Sequence, residues 1–199
     1  MDIFSNIQYN SVLILSYFFI SLIALILNTF TSGTTNRVLF SSYRSSPLNP
    51  LTYIRFFTHA LGHTGWHHFS SNFLTMLLIG PMIEEKYGSI NLLVMLLITS
   101  LVIGLFNTIF SNYSITGASG NVYMLITLSS FSNISEGKIP ITLILILIFY
   151  ILSEFKDRLI EGNKTTYHTG HLLGAVCGIA FGFYFLYFKT FPFIQYMIK

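Results

Sequence analysis

Charge is scarce in this sequence. Asp, Glu, Lys and Arg make up 9% of its 199 residues, against about 25% in an ordinary soluble domain. A soluble fold of this size could not cover its surface with so few polar groups, so lipid must be the solvent for much of the chain. The mean hydropathy of +0.68 agrees. Cysteine is nearly absent too: Cys177 has no intramolecular partner, which excludes an internal disulfide and leaves the redox compartment undetermined. The first ten residues carry Asp2 but no Lys or Arg, so the positive n-region of a signal peptide is missing, and no A-x-A cleavage pattern follows. The apolar run after them is therefore expected to stay as a membrane span. Internal repeats and low-complexity linkers are lacking. The net charge of +3 is small and spread out, which points away from a nucleic-acid partner. The length suits a single domain, residues 1–199, without room for a sizeable soluble module.

What is present is a series of apolar runs. A helix needs about 20 mostly apolar residues to cross the hydrocarbon core, and reading for such runs predicts six spans: 11–30, 67–84, 90–110, 117–132, 139–153 and 168–188. The expected fold class is thus all-α, a polytopic bundle in a lipid bilayer. The second and fourth spans are short and carry His68, Asn72, Ser119 and Asn121. They fit only if other helices shield those groups from lipid. Ile141-Thr142-Leu143-Ile144 in the fifth is β-branched enough for a strand. With no alternating barrel pattern in the chain, helix is the expectation. With six spans both termini share a side with Lys86, Lys138, Lys189 and Lys199, opposite Arg37, Arg44, Arg55, Lys156, Arg158 and Lys164. The positive-inside count mildly favours termini outside.

All six histidines fall in two clusters near span ends: His59, His63, His67 and His68, then His168 and His171. Between them lies Gly117-Ala118-Ser119-Gly120, which opens the fourth span. A serine there meets free backbone N–H groups and the positive end of a helix dipole. Plain small-residue packing is the competing explanation of those glycines. A serine hydroxyl becomes a nucleophile when a base stands within hydrogen-bond reach. His171 is the better candidate, because Gly174 and Gly178 follow it along one flat stripe that would let two helices approach closely. His168, one turn earlier, is the fallback. His68 and Asn72 are four apart, hence on one helix face, and both donate hydrogen bonds of the kind a tetrahedral oxyanion requires. The Ser119 amide is a further possible donor. Tyr123 falls one turn beyond Ser119, where a flat ring would either support an imidazole or serve as aromatic core.

At these residues the chain resembles the rhomboid family of intramembrane serine proteases. The resemblance runs from Arg55 through His68 and Asn72, Gly80-x3-Glu84-x3-Gly88, Gly117-Ala118-Ser119-Gly120 with Tyr123, to His171, Gly174 and Gly178. It implies a six-helix bundle and a Ser119–His171 dyad without a catalytic aspartate. It also implies oxyanion donors at His68, Asn72 and the Ser119 amide, and Tyr123 stacked on His171. Neither metal nor cofactor is expected, and the partners are single-pass or other transmembrane protein substrates. The resemblance further implies cytoplasmic termini, against the charge count, with the site open to the outside. The expected location is a cell membrane, a bacterial inner membrane in particular. Ile54 stands where relatives often have Trp, Asn121 where they are apolar, and His67 is an extra neighbour of His68. Two other classes remain: a histidine-rich membrane metal enzyme or carrier, and a non-catalytic rhomboid-like protein that binds membrane clients. The first lacks a carboxylate cluster, since Glu84 and Glu85 beside Lys86 read as a solvated helix end or cap. The second is a poor match because Ser119 and His171 are both present.

Overall fold

A computed structural model describes residues 8–132, 134, 138–149, 152, 165–192 and 194. Among them every regular element is a helix. These are α1 (Val12–Phe30), α2 (Thr34–Leu39), α3 (Pro50–Thr58), α4 (Trp66–Tyr87), α5 (Ser89–Phe110), α6 (Ser119–Ser129), α7 (141–149) and α8 (Thr165–Tyr187). By length and composition α1, α5 and the Thr169–Tyr187 part of α8 can cross a membrane. The β-branched fifth run is helical at 141–149 and at Leu152, its first two residues, Ile139 and Pro140, precede the helix, and 150, 151 and 153 lie outside the described residues. The loop charges Lys156, Arg158 and Lys164 also lie outside the described residues.

Apart from the fifth run, the helix ends agree with the apolar runs to within a few residues, with two physical exceptions. Hydropathy does not signal α2 and α3, which are short and lie in the loop after α1. Here α3 starts with Asn49 accepting a hydrogen bond from Leu51 N at 3.0 Å, with Pro50 in the first turn. The fourth run becomes helical only at Ser119, because Gly117 has φ +126 and cannot belong to the helix.

The element α6 forms the middle of the bundle. Met124, Leu125 and Leu128 on it are fully buried against Phe73 and Met76 of α4, Leu92 and Met95 of α5, and the α8 face. Its 11 residues are only about 16 Å long, roughly half the hydrocarbon thickness, so this helix cannot reach both membrane faces. The Glu84–Glu85 pair does not make a simple solvated end. Glu84 is buried and accepts hydrogen bonds from Leu13 N (2.9 Å), Ile14 N (3.1 Å), Ser11 Oγ and Ser89 Oγ. It caps the free N–H groups of α1 from α4, a helix 70 residues away in sequence.

Candidate active site

The segment before Ser119 is clamped on both sides. Ser42 and Ile115 exchange two backbone hydrogen bonds of 2.9 Å, and Thr116 Oγ1 donates to Phe40 O at 2.6 Å. Asn107 Nδ2 donates to the carbonyls of Ser42 and Tyr113, at 2.9 and 3.0 Å. One step on, Gly117 N donates to His59 O at 2.9 Å. The loop from α5 thus arrives at α6 in one fixed path. Ser119 begins that helix, so its N–H has no acceptor within the helix.

Gly117 is where the donors converge. A side chain there would place its Cβ 2.6 Å from His68 Cε1, 2.7 Å from His68 Nε2 and 3.7 Å from Asn72 Nδ2. The positive φ and this close approach both require glycine. His67, beside His68, is exposed. Thr64 Oγ1 lies 3.2 Å from His68 Nδ1. If it donates there, Nε2 carries the ring hydrogen toward Gly117.

Asn72 is oriented by a residue behind it. His63, fully buried, donates from Nδ1 to Leu61 O at 3.2 Å, so its Nε2 accepts one Asn72 Nδ2 hydrogen at 3.1 Å. The second amide hydrogen of Asn72 stays available. Burial pushes the His63 pKa down to about 4, with the neighbouring His68 adding to it, so the ring is neutral as this pattern needs. Burial likewise pushes His59 down to about 4, and its Nδ1 sits 3.1 Å from Arg55 O. Among the described residues no three His, Cys, Asp or Glu side chains gather as ligands for a metal ion.

The helix α8 brings the other half. A Cβ at Gly174 would overlap the carbonyl oxygen of Gly120, and one at Gly178 would overlap Thr127 Oγ1 and Met124 O. Backbone therefore lies directly on backbone along this seam, and Thr127 Oγ1 crosses it to donate to Ala175 O at 3.1 Å. At the upper end His171 stacks on Tyr123, with ring centroids 4.4 Å apart and planes 20° from parallel. Tyr123 is one turn along α6 from Ser119, so the stack holds the imidazole on the serine's side of the seam. A cavity of about 20 Å³, room for one water, is lined there by His59, Gly117, Ser119, Gly120 and Gly170. The His168 side chain lies outside the described residues.

The family model described as Rhomboid domain matches residues 50–188. The chain belongs to the rhomboid family. Its rhomboid core therefore includes every element from α3 to α8, and it is an integral, polytopic membrane protein. Ile54 and Asn121, singled out in the sequence, have local explanations. Ile54 is half exposed, while Arg55 turns inward to Tyr43 Oη (2.6 Å), Ser45 Oγ (3.0 Å) and the tyrosine ring. Asn121 is buried, and its Nδ2 donates to Tyr17 Oη and Ser100 Oγ, both at 3.1 Å. Two partners of the site were not read from sequence: Thr64 beside His68, and His63 as the acceptor that orients Asn72. The spacing of His63 from Asn72 fits no helical face, because a turn at 61–65 separates them.

Proposed function

We propose that this rhomboid is an intramembrane serine protease that cleaves transmembrane protein substrates with a Ser119–His171 dyad. In this reading the runs that hold α1, α4, α5, α6, α7 and α8 make six spans, the fourth completed by the turns that flank the short α6, both termini are cytoplasmic, and Ser119 opens to the outer side. The observation that carries it is the glycine seam between α6 and α8, with His171 stacked on Tyr123 one turn from Ser119.

The chemistry follows from these positions. Ser119 Oγ attacks the scissile carbonyl carbon while His171 accepts the hydroxyl proton. The carbonyl oxygen becomes an oxyanion, which His68 Nε2–H, the free Asn72 amide hydrogen and the Ser119 N–H stabilise as donors. Collapse breaks the C–N bond, and the imidazolium gives its proton to the leaving amine. Water then attacks the acyl ester and passes a proton to His171, the bond from the acyl carbon to Ser119 Oγ breaks to release the acid, and His171 returns the proton to Ser119 Oγ. No aspartate is required to hold the imidazole, because the Tyr123 ring supports it face to face and attracts its cationic form.

The deciding experiment uses purified protein in liposomes with a labelled single-pass substrate. Ser119→Ala should abolish both cleavage and labelling by a fluorophosphonate while thermal unfolding stays as in wild type. Full cleavage by the folded alanine variant ends the serine-protease reading, and a wild-type chain that neither cleaves nor labels belongs with the binding-only relatives.

A further inference from the structure

A second cavity adjoins the site on the extramembrane face. It measures about 320 Å³ and is lined by Asn36, Arg37, Tyr43, Thr64, Ser114 and Thr116, among others. Two of these residues connect it to the candidate machinery. Thr64 Oγ1 is the partner of His68 Nδ1 at 3.2 Å. Thr116 lines both this cavity and the smaller one at Ser119. A third, Asn36, donates from Nδ2 to His63 O at 2.8 Å, tying the wall to the residue that orients Asn72. A chain segment lying across Ser119 would thus pass beside this cavity.

Its chemistry is one-sided. The Arg37 guanidinium is exposed. Tyr43 Oη accepts the Arg55 Nη1 hydrogen bond at 2.6 Å, which leaves the phenol hydrogen to be donated elsewhere. Hydroxyls of Thr64, Ser114 and Thr116 complete the wall. The surrounding sequence holds Arg37, Arg44 and Arg55 but no Asp or Glu anywhere from residue 3 to residue 83, nor from 86 to 135. The residues that line the cavity thus bring Arg37 and no carboxylate, whereas the 154–164 loop assigned to the same side sets Glu154, Asp157 and Glu161 against Lys156, Arg158 and Lys164.

We infer that this cavity is a substrate subsite that receives an acidic side chain, Asp or Glu, from the extramembrane segment flanking the scissile bond. The inference rests on the protease reading for the word substrate, and names the charge that substrate should carry. Arg37 supplies the attraction, and the Tyr43 and Ser114 hydroxyls supply directional donors to the carboxylate, the Thr64 and Thr116 hydrogens being held by His68 and Phe40 O. A lysine in the same place would meet a cation instead.

The test measures binding separately from turnover. Single-pass segments carrying Glu, Gln or Lys, walked along six positions on either side of the scissile bond, are titrated against the Ser119→Ala protein in zwitterionic nanodiscs. The same set is then assayed for cleavage by wild type. At one position Glu should bind about tenfold tighter than Lys, with Gln between, as expected for one attractive and one repulsive contact at a partly exposed cation. Arg37→Glu should reverse that order and leave the Gln segment within about twofold. Equal affinities at every position, or a Glu preference that survives Arg37→Glu, overturn the subsite. A Glu preference erased by adding anionic lipid also overturns it, because the cavity would then hold a headgroup. A preserved preference in binding without cleavage by wild type keeps the subsite and overturns only the protease reading.

Discussion

The seam between α6 and α8 makes Gly174→Ala the most demanding test of the architecture. The added methyl would land on the carbonyl oxygen of Gly120, an atom of helix backbone that cannot rotate away. Ordinary van der Waals contact begins at 3.4 Å, so the two backbones must separate by about 1 Å or more. A displacement of that size near a reacting pair costs about 10²-fold in rate, equivalent to about 2.7 kcal/mol of activation free energy. Gly174→Val should cost more, since overpacking adds about 1–3 kcal/mol of strain. Neither change removes a group that touches substrate. The assay is single-turnover cleavage in liposomes, with thermal unfolding to establish that the variants fold. Ala180→Val, at an exposed position of the same helix, is the control and should stay within about threefold of wild type. Cleavage by folded Gly174→Ala at the wild-type rate would refute the reasoning, because His171 would then reach Ser119 by some route other than this seam.

Four further outcomes follow. His171→Ala should match Ser119→Ala in its loss, since members of a dyad act as a unit, whereas His168→Ala should keep measurable activity; the reverse ranking moves the base. Asn72→Ala should lower kcat about 10²–10³-fold without abolishing it, and unchanged kcat in both Asn72→Ala and His68→Ala would refute the oxyanion assignment. Because folded His59 and His63 are held near pKa 4 and unfolded histidine titrates near 6.5, the unfolded chain binds more protons between those values. Their contribution to stability should be whole above about pH 6.5 and lost as pH falls toward 4; thermal unfolding at pH 7.5 and 5 checks it, and His63→Gln should flatten the slope. Glu84→Ala deletes the cap on α1 and should lower stability by about 3 kcal/mol, since each bond to a charged acceptor contributes about 1.5–3, with little change in kcat per folded molecule; a large kcat loss at unchanged unfolding temperature would contradict a purely structural role.

Three of the expected spans, α1, α5 and α8, were readable because hydropathy and helix length have a common cause: a segment long enough to cross lipid must be apolar over that length. The candidate site was readable wherever its residues share one helix, as His68 and Asn72 do, or Gly174 and Gly178 after His171, since a fixed 3.6-residue period turns spacing into direction. What escaped was set by contacts between distant segments. Thr64 precedes the helix that carries His68, and the bond from His63 to Asn72 spans a turn. Glu84 meets α1 across 70 residues or more, so the short-range signal left a solvated end and a cap open, and could not show that the cap is buried and serves another helix.

Asn121 shows the same limit from the other direction. A polar side chain on the central helix, next to the glycine that follows Ser119, conflicts with its apolar surroundings when read locally. The fold answers half of the conflict through Tyr17 on α1 and Ser100 on α5, 104 and 21 residues away, while Asn121 Oδ1 is buried with no hydrogen-bond partner among the described residues. Both hydroxyls pass their own hydrogens onward to carbonyls, Tyr17 to Ala60 at 2.9 Å and Ser100 to Leu96 at 2.8 Å. The Asn121 amide must therefore donate to both, which fixes its orientation and links α6 to α1 and α5. Asn121→Val would leave two buried hydroxyl oxygens without their donor, at about 1–3 kcal/mol each, and should lower the unfolding temperature. An unchanged unfolding temperature would mean that the helix starting at Ser119 is held by its apolar packing alone.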